Sequence, residues 1–270
     1  MAMSDDPAFD LDAYLARIGY SGPRQPSLAA LDALHLAHAT KVPFENLDVL
    51  LGRPIRLDAE CLQAKLVRDR RGGYCFEQNQ LFATALSALG FKVTRLAARV
   101  MLNAPRVLPR THMLLLVEVE GQQLLADVGF GAEGLLLPVP FLVGVPTARL
   151  DRVYRIDLQD NCYVLTLVDR APVLPLYQFS LEPQLLVDYE VANYFVSTNP
   201  DSIFTQLLLA QRIAPGLRHT LRNRELVIDD AGTITKHTVS DDDELLTVLA
   251  EKFDLPFPAG TRFRYREHSA

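Results

Sequence analysis

Cysteine is scarce in this sequence: Cys61, Cys75 and Cys162 are the only three in 270 residues, with no Cys-x-x-Cys pair. An odd, sparse set excludes a disulfide framework and offers no zinc spacing. Long apolar runs are missing as well. The most apolar stretch, 134–145, is broken by Pro138, Pro140 and Gly144 and falls short of the roughly 20 residues a membrane helix needs. Residues 1–10 lack a basic region followed by an apolar one, so no export signal is expected and the cytosol is the expected compartment. Positive charge is in deficit: 27 Lys and Arg against 33 Asp and Glu give a net charge of −6 and a pI near 5.5. That balance argues against nucleic acid or an anionic membrane as partner, while leaving room for a local basic pocket.

What is present reads as globular, with 49% hydrophobic and 22% charged residues. The length suits two or three small domains. Helical spacing of Leu11, Tyr14, Leu15 and Ile18 stops at Gly19. Ser27 and Asp58 are expected to cap a second and a third helix, and a fourth begins near Cys75 and stops at Gly90. Beyond Gly90 the pattern predicts strands over 93–101, 112–119, 123–128, 153–158 and 163–168, separated by turn signals at 103–105, 120–121 and 159–161. Further on, a helix is expected over 202–212, a hairpin around 229–232, and a helix over 241–253 capped by Ser240. The fold class is α+β: a helical lobe over 1–90, a β lobe over 91–200 and a mixed α/β lobe over 201–270.

The segment Arg71-Gly72-Gly73-Tyr74-Cys75-Phe76-Glu77-Gln78-Asn79 carries the most chemical information. Paired glycines release the backbone just before a helix, and Cys75 falls in its first turn, where free N–H groups and the helix dipole favour a thiolate. Arg71 adds a positive charge nearby. The plain alternative is a buried structural cysteine. A nucleophilic cysteine needs a base, and the base needs an orienting group. His112 opens the apolar strand Met113-Leu114-Leu115-Leu116-Val117, and Asp127 closes the next one. The Glu120-Gly121 turn between them makes the strands antiparallel neighbours, bringing His112 and Asp127 to one sheet end. Asp127 can then steer the imidazole, although a strand-ending Asp before glycines has a simpler reading as a turn residue.

These residues, together with Val42-Pro43-Phe44-Glu45-Asn46-Leu47, Thr111, Val128-Gly129-Phe130-Gly131 and Ser197-Thr198-Asn199-Pro200 followed by Ser202 and Phe204, closely resemble the arylamine N-acetyltransferase family, in its bacterial length. The resemblance implies an N-terminal helical bundle, a central antiparallel β-barrel and a C-terminal α/β lid, with the cysteine-triad arrangement of papain-like enzymes. It implies Cys75 as acyl acceptor, His112 as base and Asp127 as orienting carboxylate. Acetyl-coenzyme A is the implied cosubstrate, with no metal, and arylamines, arylhydrazines or hydrazides are the implied acceptors. Phe44, Phe130 and Phe204 would line the acceptor site, and Thr111, Gly129 and Gly131 the coenzyme A site. Core packing and a plain turn are the competing roles for these. Glu45, Arg71 and Asn79 read as supports of the site.

His35 and His38, three apart on a helix, lack a third ligand at metal spacing, and Asp241-Asp242-Asp243-Glu244 reads as helix N-terminal charge, not a calcium loop. Three other functions remain open: an amide synthase of the same fold acting on polyketide acyl chains, a cysteine peptidase or transglutaminase, and a non-catalytic binding module. The sequence does not fix the preferred amine, the acyl range, the pathway, or whether the chain forms a homo-oligomer.

Overall fold

The structure is a computed structural model that describes residues 9–266 except 105 and 132. Residues 1–8 of the segment searched for an export signal, and Pro105 of the expected turn at 103–105, lie outside the described residues.

The helical lobe follows its capping signals. In α1 (Leu11–Ile18) the Asp10 carboxylate accepts from Ala13 N, and Gly19 ends the helix in the left-handed region at φ 71°. In α2 (Leu28–Lys41) the Ser27 hydroxyl accepts from Ala30 N. The short β1 (Phe44–Glu45) and α3 (Leu47–Leu50) come next. Asp58 caps α4 (Ala59–Leu62), which runs on as a π-helical stretch over Gln63–Arg68. Then α5 (Cys75–Ala88) opens on Cys75, with Tyr74 in extended conformation as its N-cap.

The β lobe comprises β2 (Lys92–Val100), β3 (His112–Val119), β4 (Gln122–Ala126), β5 (Val139–Pro140), β6 (Thr147–Arg149), β7 (Arg152–Gln159), β8 (Cys162–Leu167) and β9 (Leu174–Phe179). All pairings are antiparallel, in the order β5-β4-β3-β2-β9-β8-β7-β6, and β5 lies beside β6, so the sheet nearly closes into a barrel. Strand β3 is buried on both faces, which is why it reads as a continuous apolar run. Leu115 and Val117 pack with Leu31, Leu34, Phe82 and Leu86 of the helices. Leu114 and Leu116, on the other face, pack with Leu96, Leu165 and Tyr177 inside the barrel.

The chain continues through α6 (Leu186–Thr198) and α7 (Ile203–Gln206) into β10 (Leu209–Ala214), β11 (Leu217–Arg222), β12 (Glu225–Asp230), β13 (Thr233–Thr238) and α8 (Asp242–Phe253). The second sheet is ordered β1-β10-β11-β12-β13, so a strand from the helical lobe forms its edge. The expected hairpin is β12–β13, turning through Ala231 and Gly232, both at positive φ, as a two-residue hairpin of this type requires.

Two expectations are corrected here. The helix expected over 202–212 is only α7, and the chain then becomes β10. Asn46 explains the break: its Nδ2 donates to the carbonyls of Phe204 and Leu207, and its Oδ1 accepts from Leu209 N, so the side chain takes groups a continuing helix would need. Strand pairing on both sides of β10 then overrides the helical propensity of its leucines. The cap of α8 is Asp241, whose carboxylate accepts from Glu244 N, not Ser240, whose own N–H donates to Glu244. Helix α6 and strands β9 to β11 were not expected at all.

Candidate active site

Period-two alternation puts His112 on the same face of β3 as Leu114 and Leu116, toward the barrel interior. Asp127 follows Leu125, which shares that interior, across a register that pairs Leu115 with Ala126. The two side chains are therefore diagonal neighbours at one sheet end, and His112 Nε2 lies 2.7 Å from Asp127 Oδ2. The other ring nitrogen, Nδ1, is left for the side of Cys75, which interacts with the His112 charge. The Cys75 sulfur also lies 3.6 Å from the Thr111 carbonyl oxygen. The sequence thus brings together in one buried cluster three side chains from a helix start and two strand ends, with Cys75 4%, His112 2% and Asp127 0% exposed.

Burial alone would favour neutral forms of both partners. For His112 burial works against the imidazolium, but the Asp127 carboxylate, the hydrogen bond to it and Cys75 outweigh burial and raise its pKa to about 10. For Asp127 burial pushes upward, and the His112 charge, with hydrogen bonds from His112, Asn79 and Gly129, brings the carboxyl below its ordinary value. The pair is thereby held as imidazolium and carboxylate.

Asn79, one turn after Cys75, ties the helix to both strands. Its Nδ2 donates to Met113 O at 2.7 Å and to Asp127 Oδ1 at 2.8 Å, while its Oδ1 accepts from Val128 N at 3.0 Å. Gly129 sits so close to the nucleophile helix that a Cβ there would lie 2.8 Å from Cys75 Cα. Its missing side chain serves that approach. Gly131 has φ +94°, and a Cβ there would overlap the Gln211 side chain. Thr111 is half-buried, with its hydroxyl 3.4 Å from Pro109 O.

The expected aromatic residues fall into two groups. Phe130 meets the His112 ring edge-on at 5.2 Å and Tyr177 at 5.1 Å. Phe44 and Phe204 lie 6.1 Å apart, and Phe204 meets Tyr74 edge-on at 5.3 Å; all three share a cluster with Cys75. The expectation that Arg71 supplies charge to the cysteine is corrected: its guanidinium pairs with Glu45 at 2.8 Å and Asp48 at 3.2 Å and lies over the Phe257 ring. Lys65 completes that network, 2.7 Å from Glu77 and 3.1 Å from Asp48. Glu77 in turn accepts from Tyr74 N and fixes the start of α5. Burial, against the opposing pull of Lys65, leaves Glu77 with a pKa near 7.

Sequence reasoning passed over several residues of this site. Tyr177 stacks on His112 at 5.1 Å; its buried hydroxyl faces Asp127 without an aligned hydrogen bond, and burial and that carboxylate push its ionisation well above the ordinary phenol range. Asn193 of α6 accepts from the Tyr74 hydroxyl and donates to Ile55 O. His38 takes the Tyr14 hydroxyl at 2.8 Å, and His35 contacts Leu136 O and Asp127 N, so both engage protein groups. Only the His35–His38 pair carried a signal, and it was weighed as a metal site.

A cysteine at a helix start beside a buried imidazole–carboxylate pair, on a helical lobe joined to an antiparallel barrel, is an arrangement suited to acyl transfer through sulfur. A sequence model described as N-acetyltransferase matches residues 27–261. The arylamine N-acetyltransferase of Mycolicibacterium smegmatis is 39% identical over 257 residues, spanning 92% of each chain. That of Escherichia coli strain K12 is 39% identical over 248 residues, 91% of this chain and 88% of that protein. Among solved structures, Mycobacterium marinum arylamine N-acetyltransferase superposes with a TM-score of 0.88 at 38% identity, covering 91% of this chain and 93% of that one. The same M. marinum enzyme in complex with CoA superposes with a TM-score of 0.87 over the same shares. The chain belongs to the arylamine N-acetyltransferase family.

Proposed function

We propose that this chain moves an acetyl group from acetyl-coenzyme A to the nitrogen of an arylamine, arylhydrazine or hydrazide, in two displacements through an acetyl-Cys75 intermediate. The observation that carries the reading is the buried His112–Asp127 pair at 2.7 Å, with the second imidazole nitrogen turned to Cys75 at a helix N-terminus.

In the first displacement the Cys75 thiolate attacks the thioester carbonyl, a carbon–sulfur bond forms, and the bond to coenzyme A breaks. The leaving sulfur takes the proton from the His112 imidazolium. In the second, the unprotonated amine attacks the acetyl-cysteine carbonyl, gives a proton to the now neutral His112, and releases the Cys75 thiolate beside a restored imidazolium. One thioester replaces another in the first half, and amide formation drives the second. Aromatic amines suit the second half because their low basicity leaves the nitrogen lone pair free at neutral pH.

Phe130 beside His112, and Phe44 with Phe204 in the cluster that holds Cys75, offer aromatic surface that a flat acceptor ring can pack against. Thr111, whose carbonyl lies 3.6 Å from the Cys75 sulfur, and Gly129 and Gly131 just after Asp127 are assigned to the coenzyme A thioester. The three sequence segments 1–90, 91–200 and 201–270 are read as bundle, barrel and lid, and the cytosol as the compartment. No helix among the described residues is long and apolar enough to cross a membrane.

The test is incubation with acetyl-coenzyme A alone, followed by peptide mass spectrometry. A 42-Da adduct, roughly the mass of an acetyl group replacing a proton, is expected on Cys75 and absent in Cys75→Ala. Label on Cys61 or Cys162 instead would overturn the assignment. Free-thiol release on adding an aniline, against a carrier-bound acyl donor, separates acetyl transfer from amide synthesis.

A further inference from the structure

His35 lies on α2, fully buried, and is the one helical-lobe side chain among the described residues that bonds the Asp127 backbone. Both ring nitrogens have defined tasks. Nδ1 is 3.0 Å from the Leu136 carbonyl oxygen, which can only accept, so Nδ1 carries the hydrogen. Nε2 is 3.1 Å from Asp127 N, which can only donate, so Nε2 presents a lone pair. These two neighbours together specify the neutral Nδ1–H tautomer.

The bond matters because of where Asp127 stands. The ladder between β3 and β4 ends at the pair Leu115–Ala126, so the Asp127 amide is the first without a strand partner. The next two amides are also held from outside the ladder: Val128 N by Asn79 Oδ1, and Gly129 N by the Asp127 carboxylate itself. His35 is thus the first of three supports that fix the backbone from which the Asp127 carboxylate projects toward His112. Phe82 meets the His35 ring edge-on at 5.6 Å and keeps its plane fixed.

We propose that His35 is a positioning residue for acetyl transfer: as a neutral Nδ1–H imidazole it anchors the Asp127 amide and thereby sets the direction of the Asp127–His112 hydrogen bond. The proposal rests on the triad reading above.

A pair of variants separates the ring's two tasks. His35→Asn keeps a polar group at the δ position for Leu136 and removes the acceptor for Asp127; His35→Gln places a carboxamide oxygen near the ε position and gives up the δ donor. With both as folded as the native chain by melting temperature, His35→Asn should lower kcat by about tenfold or more with KM for acetyl-coenzyme A within about twofold. It should also slow the alkylation of Cys75 by iodoacetamide at neutral pH. His35→Gln should stay within about threefold of native kcat. Equal losses in the two variants, or native kinetics and alkylation rate in His35→Asn, overturn the proposal. If His35→Asn does not fold, ¹⁵N-histidine spectra of the native chain decide: an Nδ1–H tautomer at His35 supports the assignment and an Nε2–H tautomer refutes it. Failure of native Cys75 to take acetyl label would instead remove the triad reading itself, whereas normal labelling with a native-like His35→Asn removes the role of His35 alone.

Discussion

Replacing Asp127 by Asn changes one charge at nearly constant shape, and the structure says what that charge holds in place. His112 is buried, and burial alone would push its pKa below the ordinary 6.5; the carboxylate 2.7 Å away reverses this and takes it to about 10. In Asp127→Asn the desolvation remains and the larger compensation goes, leaving only that of Cys75, so His112 falls back toward its ordinary 6.5. At pH 7.5 the native ring is almost wholly imidazolium, whereas in the variant roughly a tenth or less is charged. The thiolate–imidazolium population falls by about tenfold from charge alone. The carboxamide also presents the wrong hydrogen-bonding face to the ring, a loss that in other triads reaches about 10⁴ in kcat. We expect kcat down by at least 10²-fold, on the order of 3 kcal/mol of barrier. The assay is the rate of Cys75 alkylation by iodoacetamide against pH. Asp127→Asn should react about tenfold or more slowly than the native chain at neutral pH, where the variant has lost the charged ring beside the sulfur. The same change should appear in stability. A base whose pKa is raised on folding contributes fully below its unfolded value and loses that contribution as pH rises through its folded value. The His112 contribution is therefore lost between pH 6.5 and about 10 in the native chain and should be missing from Asp127→Asn. A variant that keeps the native alkylation rate would refute the account of His112.

Other consequences follow from the packing around the site. Gly129→Ala places a Cβ 2.8 Å from Cys75 Cα, so it should cost about 1–3 kcal/mol in urea unfolding and reduce kcat; native values for both would mean the helix start is free to move. Lys65→Met strands the buried Glu77, 2.7 Å from it, while Asp48 keeps Arg71 and Arg53, and should destabilise by roughly 3–5 kcal/mol, partly restored by adding Glu77→Gln. Calorimetric melting of the single and double variants checks this. His35 and His38 are lowered to about 4 and about 3, in each case first by burial. Groups kept neutral by the fold stabilise it above their unfolded value of 6.5 and lose that contribution as pH falls. Moving from pH 7 to pH 5 should therefore cost up to about 2 kcal/mol for each, a loss that urea titration of His38→Phe should show reduced.

Local rules made the helical lobe legible. Asp10, Ser27 and Asp58 each accept the capping hydrogen bond their position implied, and Gly19 and Gly90 take the positive φ of helix ends. Strand β3 has the bounds expected from its apolar run, and the short Glu120–Gly121 turn was enough to place His112 near Asp127. The segment after residue 200 was misread because its leucines have helical propensity, while what ends α7 is Asn46, more than 150 residues away in the chain. A single side chain that takes carbonyls from a distant segment leaves no local pattern. Arg71 was read both as a charge near Cys75 and as a support of the site, and only the first of these fails, for a related reason. Its proximity to Cys75 in sequence was visible, but the carboxylates of Glu45 and Asp48 that bind it come from β1 and α3. Tyr177 and His35 reach the site through folding alone, one across the barrel and one from the helical lobe.

The position of the site at a seam explains why so many neutral groups surround it. Cys75 belongs to the helical lobe and His112 and Asp127 to the barrel, so the geometry between them depends on how the helices meet the outer face of β3 and β4, with which they share one core. Apolar contact resists separation but tolerates sliding, because burial is not directional. Registration at the level a triad needs has to come from groups with directional bonds that cross the seam. Asn79 crosses it with three hydrogen bonds, His35 with one to Asp127 N and one to Leu136 O, and Gly129 by an approach that no side chain could allow. The charged network of Lys65, Glu77, Asp48, Arg71 and Glu45 lies on the helical side and fixes the start of α5, not the seam itself. Buried polar groups at the seam are costly when unpaired, so a shift of one lobe against the other would break several bonds together, and it is this shared penalty that keeps the sulfur facing the imidazole.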